Sequence, residues 1–182
     1  MASPVLLDGK RLLITGGARG IGLGIAHWFL AHGYRVALLD IDPSTLAGTA
    51  AQLQDPARVL TLHCDVSQAD QVQALFEFVD RECPPLHALV NNAGISPKGP
   101  GGSRLNTLET DLRTWGQVFH VNFFASIVLA RGLKDELSAA KGSVVNVTSI
   151  AGSPAAAFAL RTSARMVSFG SRAFAKNWST PV

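Results

Sequence analysis

The stretch TGGARGIG, residues 15–22, decides how this chain folds. It follows the apolar run RLLIT, Arg11–Thr15, which has the composition of a buried strand. An apolar segment at residues 21–32 follows the turn and is typical of a helix that begins at glycines and ends at Gly33. A glycine-rich turn between a strand and a helix indicates the first unit of a parallel α/β sheet.

Short apolar runs alternate with longer helical patterns through the rest of the chain. Further strands are predicted at residues 35–39, 58–63, 87–90 and 143–148. Helices are predicted at residues 43–54 and 67–82, through most of 107–140, and at 155–177. Strands that are apolar on both faces and alternate with helices predict an α/β doubly wound parallel sheet with helices on both faces. Because no linker or internal repeat interrupts this pattern, residues 1–182 are expected to form a single domain.

The composition favours a folded protein and argues against several partners. Hydrophobic residues make up 47% of the chain and charged residues 16%, which is enough apolar material for a core. The net charge is +3 without a run of Lys or Arg, so no nucleic-acid partner is expected. The start resembles no signal peptide, and the apolar stretch at 121–130 is too short to cross a membrane. Cys64 and Cys83 lack CxxC or metal-ligand spacing, which predicts buried thiols, no metal site and a cytoplasmic protein.

The glycine turn predicts a dinucleotide site through three positions, Gly16, Gly20 and Gly22. One glycine permits the sharp turn, another lets the backbone approach a pyrophosphate, and the third lets the helix pack on the strand. The N–H groups at the start of the helix then face the phosphates. The alternative is a turn that uses glycine for structure alone.

Asp40 ends the second strand, twenty residues after Gly20. A carboxylate at this place can accept hydrogen bonds from the adenosine ribose and repels a 2′-phosphate, which favours NAD(H). Arg19 points the other way, because an arginine in the turn can pair with a 2′-phosphate, so NADP(H) remains possible. A third interpretation is that Asp40 caps the following turn, a role that Asp42 could also take.

Five motifs together resemble the short-chain dehydrogenase/reductase (SDR) family, whose members have an NAD(P)-binding Rossmann fold. TGGARGIG is similar to the family's TGxxxGIG turn, and CDV at residues 64–66 is similar to its DV pair. NNAG at residues 91–94 matches the motif after the fourth strand. Asn122 in HVNFFA and Ser149 in VVNVTS match the family's helix asparagine and catalytic serine. The resemblance runs over about residues 10–152 in family order.

The resemblance implies an oxidoreductase that transfers a hydride between NAD(P)(H) and a small alcohol or carbonyl substrate, and that forms a homo-oligomer. It implies that Ser149 and Asn122 serve catalysis, the serine on the substrate oxygen and the asparagine by holding a water of the proton relay. The implied cofactor-binding residues lie in the glycine turn and after the next three strands: Gly16, Arg19, Gly20, Ile21, Gly22, Asp40, Asp65, Val66, Asn91, Ala93 and Gly94. Taken singly, Asn91 and Asn122 could instead satisfy backbone groups, and Ser149 could be an ordinary residue at a strand end.

The catalytic tyrosine and lysine of the family are absent from this chain. The family spacing places them at Thr162 and Met166, and a shorter loop places them at Phe158 and Thr162. None of these side chains can form a tyrosinate or carry a positive charge. The chain has one tyrosine, Tyr34, far upstream, and activity of this chain is therefore doubtful.

The chain also stops before the last strands of the family fold, so the domain is expected to be incomplete at its C-terminus and the fifth strand to lie at a sheet edge. One hypothesis explains both departures: residues 153–170 come from a disrupted reading frame, an altered splice or a deletion in the gene for an active enzyme. Three functions therefore stay open: an impaired oxidoreductase, a non-catalytic NAD(H)-binding or dimerising module, and an unstable fragment.

Overall fold

A computed structural model of the chain describes residues 9–103, 105, 108 and 110–148. Its centre is a five-stranded parallel sheet in the order β3-β2-β1-β4-β5. The strands are β1 (Arg11–Thr15), β2 (Arg35–Asp40), β3 (Val59–His63), β4 (Ala88–Asn91) and β5 (Ser143–Asn146). The helices are α1 (Gly20–Ala31), α2 (Pro43–Leu53), α3 (Ala69–Glu82), α4 (Leu112–Phe119), α5 (Ala125–Gly132) and α6 (Lys134–Ala139). The predicted doubly wound α/β sheet is confirmed.

Each face of the sheet carries its own apolar layer. On one face, alternate strand residues such as Leu13 and Leu89 pack with Val79 of α3 and Leu129 of α5. On the other face, their neighbours such as Ile14 and Leu38 pack with α1 and α2 through Ala26, Leu30 and Leu46. Because successive side chains of a strand point to opposite faces, a strand covered on both sides must be apolar throughout. This double coverage explains why the strands appear in the sequence as unbroken apolar runs.

The start of α2 is capped by Asp42. Asp42 precedes Pro43, and its Oδ1 atom accepts hydrogen bonds from the N–H groups of Ser44 at 3.0 Å and Thr45 at 3.1 Å. The Ser44 and Thr45 hydroxyls donate to the same carboxylate at 2.8 and 2.6 Å. These bonds satisfy backbone donors that the first helical turn leaves without a partner. They also orient the chain as it leaves β2.

The predicted helical segment 107–140 is divided. Within the described part, helix α4 begins after Asp111, whose Oδ1 atom accepts the Thr114 N–H at 2.8 Å. A π-helical segment, His120–Phe124, separates α4 from α5, and Leu133 separates α5 from α6. A π turn inserts one residue into a helix and redirects the side chains beside it. The periodicity of apolar residues predicted the helices but not this insertion.

Most other element boundaries, among them those of β2, β3, α2 and α3, differ from the prediction by one or two residues. Strand β4 runs one residue further, to Asn91, and β5 ends at Asn146 instead of residue 148. The predicted helix at 155–177 and residues Ser149, Phe158, Thr162 and Met166 lie outside the described residues. Among the described strands, β5 occupies one end of the sheet.

Two further expectations concern the burial of the cysteines and membrane-spanning segments. Cys64 and Cys83 are both buried and unpaired, as predicted. Burial is the main cause that raises the pKa of each thiol to about 11, so both stay protonated at neutral pH. Within the part of the chain that the structure describes, no helix is long and apolar enough to cross a membrane.

Candidate functional site

A groove with a volume of about 200 Å³ lies at the carboxyl edge of the sheet, where the loops after β1, β2, β3 and β4 meet. This edge is where doubly wound sheets bind ligands. Seven of the residues that the sequence singled out line the groove together: Gly16, Arg19, Asp40, Asp65, Val66, Ala93 and Gly94.

The start and the end of the glycine turn, Gly16 and Gly22, lie in direct contact. Gly16 and Gly20 have φ angles of +62° and +54°, in the left-handed region that favours glycine. A Cβ atom on Gly22 would lie 2.2 Å from the Gly16 carbonyl oxygen and 2.7 Å from Nδ2 of Asn92. Only a residue without a side chain fits there. Gly22 is therefore the glycine that lets α1 pack against the end of β1.

The start of α1 has no side-chain cap. Arg19 occupies the N-cap position with an extended backbone, its side chain accepts no bond from the helix, and the first turn contains no acidic residue. Gly20 and Ile21 are exposed there. An uncapped helix start presents backbone N–H groups and the positive end of the helix dipole. The arrangement suits an anion such as a pyrophosphate.

Thr15 and Asn92 fasten the NNAG motif to the glycine turn, and the sequence did not single out either residue. The Thr15 hydroxyl oxygen accepts hydrogen bonds from the N–H groups of Asn92 at 3.0 Å and Ala93 at 2.9 Å. The Asn92 side chain donates in return to the carbonyls of Thr15 at 3.0 Å and Gly16 at 2.9 Å. The available signals were the threonine that ends β1 and the second asparagine of NNAG, which directly follows β4.

Asp40 is buried, with 6% of its surface exposed, and links two loops. Its Oδ2 atom accepts the N–H of Ala18 in the glycine turn at 3.1 Å, and its Oδ1 atom accepts the Asp42 N–H at 3.2 Å. The capping interpretation of Asp40 therefore agrees with its contacts, and the carboxylate also lines the groove. Each carboxylate oxygen can accept a further bond. Arg19 is exposed on the same groove and forms no ion pair with a described residue.

Asp65 and Val66 form the wall of the groove that follows β3. The Asp65 Oδ1 atom accepts hydrogen bonds from the Ser67 N–H at 2.9 Å and the Ser67 hydroxyl at 2.7 Å. Gln71 Oε1 accepts the Asp65 N–H at 2.8 Å. The loop after β3 is thus held by its own polar groups, and this leaves a carboxylate at the groove.

Asn91 lies at a second, smaller cavity of about 30 Å³ rather than in the main groove. Its Nδ2 atom donates to Asn146 Oδ1 at 2.8 Å, which joins the ends of β4 and β5. Its Oδ1 atom is buried and has no hydrogen-bond partner in the structure. Asn122 borders the same cavity. The volume suits about one water molecule.

Asn122 uses both ends of its side chain on one backbone residue. Its Oδ1 atom accepts the Ile95 N–H at 2.8 Å, and its Nδ2 atom donates to the Ile95 carbonyl at 2.9 Å. The residue lies within the π-helical segment, which turns its side chain toward the loop after β4. These contacts agree with the alternative that Asn122 satisfies backbone groups. That it holds a water stays a prediction.

Comparisons with known proteins agree with this architecture. A family profile described as short chain dehydrogenase matches residues 10–166. The protein FixR of Bradyrhizobium diazoefficiens is 44% identical over 154 residues, which cover 82% of this chain and 54% of FixR. The chain spans about half the length of the curated relatives it matches.

Two solved structures resemble the chain over most of its length. One is an oxidoreductase of Brucella ovis in complex with a partially ordered NAD, 41% identical, with a TM-score of 0.67 over 84% of this chain and 68% of that one. The other is L-sorbose reductase of Gluconobacter frateurii in complex with NADPH and L-sorbose, 28% identical, with a TM-score of 0.76 over 87% of this chain and 59% of that one.

Proposed function

The chain belongs to the short chain dehydrogenase family, and from that premise we propose that residues 1–182 form a single dinucleotide-binding domain for NAD(H). We further propose that the domain belongs to an oxidoreductase that acts on a small alcohol or carbonyl substrate. The observation that most strongly supports the dinucleotide site is the close approach of Gly22 to the Gly16 carbonyl, which forms a tight turn beside an uncapped helix start.

The described residues fit the parts of a dinucleotide. The N–H groups of the first turn of α1, at Gly20, Ile21 and Gly22, would hold the pyrophosphate. The carboxylate of Asp40 would accept hydrogen bonds from the adenosine ribose, and Asp65 with Val66 would border the adenine. Ala93 and Gly94 would line the part of the groove that leads to the reacting end of the dinucleotide. Asn91, at the end of β4, would support this part of the groove. The groove that these residues share is the physical basis for the assignment.

Two carboxylates support NAD(H) over NADP(H). Asp40 ends β2, and Asp42 lies two residues later. The Asp42 N–H donates to the Asp40 carboxylate. A 2′-phosphate placed near Asp40 would meet like charge, whereas two ribose hydroxyls would find acceptors. Arg19 is the one lining residue of the described groove that would favour the 2′-phosphate. The relatives above include one bound to NAD and one bound to NADPH, so the family uses both.

Turnover by this chain is proposed to be impaired. The bound cofactor supplies the hydride, while the protein must position the substrate oxygen and move its proton. Ser149 would hydrogen-bond that oxygen, and Asn122 fixes the loop at Ile95. At the positions where family spacing expects the tyrosine and lysine, Thr162 and Met166 supply neither a hydroxyl that ionises near neutrality nor a cation.

A paired binding and turnover assay tests this proposal. The chain is titrated with NADH and is then incubated with NADH and a panel of aldehydes and ketones. We expect saturable binding without protein-dependent oxidation of NADH. The double variant Thr162→Tyr with Met166→Lys measures whether the missing groups are the cause, and detectable turnover in that variant alone would support the assignment. Oxidation of NADH by the unmodified chain would contradict the proposed impairment.

A second candidate is a non-catalytic module that dimerises, and an exposed apolar strip favours it. Five large side chains on α4, α5 and the segment between them are 41–48% exposed: Phe119, Phe123, Phe124, Ile127 and Val128. Contiguous apolar surface of this kind marks interaction sites. Sedimentation of the chain and of a Phe123→Asp variant, with Arg113→Gln as the control, tests it. A concentration-dependent dimer that Phe123→Asp alone dissociates would support a homo-oligomer, and a monomer at all concentrations would contradict it.

The compartment and the folded state are part of the same proposal. Two buried, unpaired thiols suit a reducing compartment, which supports a cytoplasmic protein. The remaining alternative, an unstable fragment, predicts no cooperative unfolding transition by circular dichroism.

A further inference from the structure

Three arginines stand side by side at the amino edge of the sheet, opposite the glycine turn. Arg11 and Arg35 begin β1 and β2 and are register partners. The Val36 N–H donates to the Arg58 carbonyl at 2.7 Å, which places Arg58 beside Arg35 at the start of β3. Adjacent strands lie about 4.8 Å apart, so the three positions form a row across the sheet.

The Arg11 and Arg35 side chains leave the sheet on the same face. Leu13 and Ala37, two positions further along the two strands, belong to one apolar layer. Because side chains alternate between faces, Arg11 and Arg35 share the face of that layer, whereas Arg58 lies in the turn before β3 and its guanidinium group bonds to the Leu30 carbonyl of α1. The C-terminal end of α3 covers this face at Glu82 and Cys83.

A pocket with a volume of about 100 Å³ lies between the arginines and the end of α3. All three arginines, Glu82 and Cys83 line it. The volume equals that of about three liquid water molecules, which suits one tetrahedral oxyanion. None of its lining residues borders the groove at the glycine turn.

Two of the arginines have unused donors. The Arg11 Nε atom is buried and has no hydrogen-bond partner in the structure. The guanidinium groups of Arg11 and Arg35 form no hydrogen bond or ion pair with any described residue. A buried donor without a partner is destabilising, and native proteins rarely leave one. An anion in the pocket would supply the missing acceptor.

Arg58 has a different role, because its donors are already engaged. Its Nε atom donates to Asp55 at 2.8 Å, and its Nη1 atom donates to the Leu30 carbonyl at 2.8 Å. The guanidinium group of Arg58 also forms an ion pair with Asp55. Arg58 is therefore a neutralised part of the pocket lining and leaves the direct contacts to Arg11 and Arg35.

The charges around the pocket leave a positive excess. Glu82 is the one carboxylate among its lining residues, and its Oε1 atom is bound to Arg81 Nε at 2.8 Å. The Nδ1 atom of His87 accepts the Arg11 N–H at 3.2 Å, and burial, followed by the charges of Lys10 and Arg11, lowers the pKa of this imidazole. His87 is therefore neutral at neutral pH and adds no charge near the pocket. The unpaired positive charge belongs to Arg11 and Arg35, because Arg58 is paired with Asp55.

We propose that this pocket is a binding site for a phosphoryl group, separate from the dinucleotide groove. Guanidinium groups present planar pairs of N–H donors that match phosphate oxygens, and a dianion gains more than a carboxylate beside two unpaired cations. The ligand is either inorganic phosphate or the phosphate of a small monoester. Arg11 and Arg35 bind it directly.

Amide NMR at constant ionic strength tests the site. The full chain is titrated with inorganic phosphate, with ribose 5-phosphate and with acetate. We expect phosphate to shift the amides of Arg11, Arg35 and Arg58 saturably, and acetate to bind at least about tenfold more weakly. Ribose 5-phosphate distinguishes the two sources of the ligand. Binding as tight as that of inorganic phosphate indicates a phosphate monoester, and no binding indicates free phosphate.

Matched variants locate the binding energy. Arg35→Gln should weaken phosphate binding by about tenfold or more, whereas Arg113→Gln, at an exposed position of α4, should leave it unchanged. Arg35 is exposed, so its replacement should preserve the fold, which the same spectra report. Shifts confined to residues 16–22, equal binding of acetate, or no saturable binding by the unmodified chain would each overturn the proposal.

Discussion

The Asp40 carboxylate at the end of β2 accepts the backbone N–H of Ala18, in the middle of the glycine turn, at 3.1 Å. Gly17 adds a second bond between the same elements, from its N–H to the Leu39 carbonyl at 2.9 Å. The turn proposed to hold the pyrophosphate and the carboxylate proposed to hold the ribose are thus one connected unit. A change at either residue is expected to affect both parts of the dinucleotide.

Gly22→Ala should abolish NADH binding and destabilise the chain by about 1–3 kcal/mol, because the new methyl group would overlap the Gly16 carbonyl. Urea unfolding and NADH fluorescence measure the two effects.

Gly24→Ala is the matched control in the same helix, where an added Cβ meets nothing within 4 Å. It should stabilise the chain by about 0.5–1 kcal/mol through helix propensity and leave binding unchanged. Equal effects of the two variants would contradict the steric explanation.

Asn122→Ala should destabilise the chain by about 1–2 kcal/mol and loosen the loop after β4, because both hydrogen bonds to Ile95 are lost. Lys98 is exposed in that loop and reports the change through its rate of trypsin cleavage. Gln117→Ala, at an exposed position of α4, should leave the cleavage rate unaltered. If Asn122→Ala left cleavage at Lys98 unchanged, the asparagine would not be the group that fixes this loop.

The cap at Asp42 should make stability depend on pH. Hydrogen bonds from Thr45 and then Ser44 lower the pKa of this carboxyl in the folded chain. A lowered folded pKa means that the stabilisation is complete above the unfolded pKa of about 4 and is lost as the pH falls further. The unfolding midpoints of wild type and Asp42→Ala should therefore differ at pH 7 and converge toward pH 2. Asp80→Ala, on the exposed part of α3, should show no such convergence.

The two thiols should resist alkylation while the chain is folded. Burial raises the pKa of Cys64 and Cys83 to about 11, and only the thiolate reacts. At pH 8 iodoacetamide should modify the native chain roughly a hundredfold more slowly than the urea-unfolded chain. Rapid reaction of one thiol in the native state would show that its segment opens readily.

The sequence predicts the sheet because periodicity and glycine spacing are local signals. The interior of a strand such as Arg35–Asp40 is apolar at every position because both faces are covered, and this is visible in the sequence itself. The turn at Gly22 is equally local, because its contact to Gly16 spans six residues.

The rest of the site depends on contacts between distant residues. Thr15 and Asn92 are 77 positions apart, and their bonds exist only because β1 and β4 are neighbours in the sheet. The pairing of Asn122 with Ile95 further requires a π turn, for which apolar periodicity carries no signal. The row of Arg11, Arg35 and Arg58 likewise appears only once the strand order is known.

The most direct test of dinucleotide binding at the Asp40 groove is a fluorescence titration of the chain with NADH and with NADPH, repeated on Asp40→Asn. We expect the unmodified chain to bind NADH saturably and NADPH about tenfold or more weakly. In Asp40→Asn the ratio of the two dissociation constants should be smaller. A tenfold ratio equals about 1.4 kcal/mol, which one carboxylate charge can supply. Tighter binding of NADPH, or no saturable binding of either nucleotide, would contradict the proposed site.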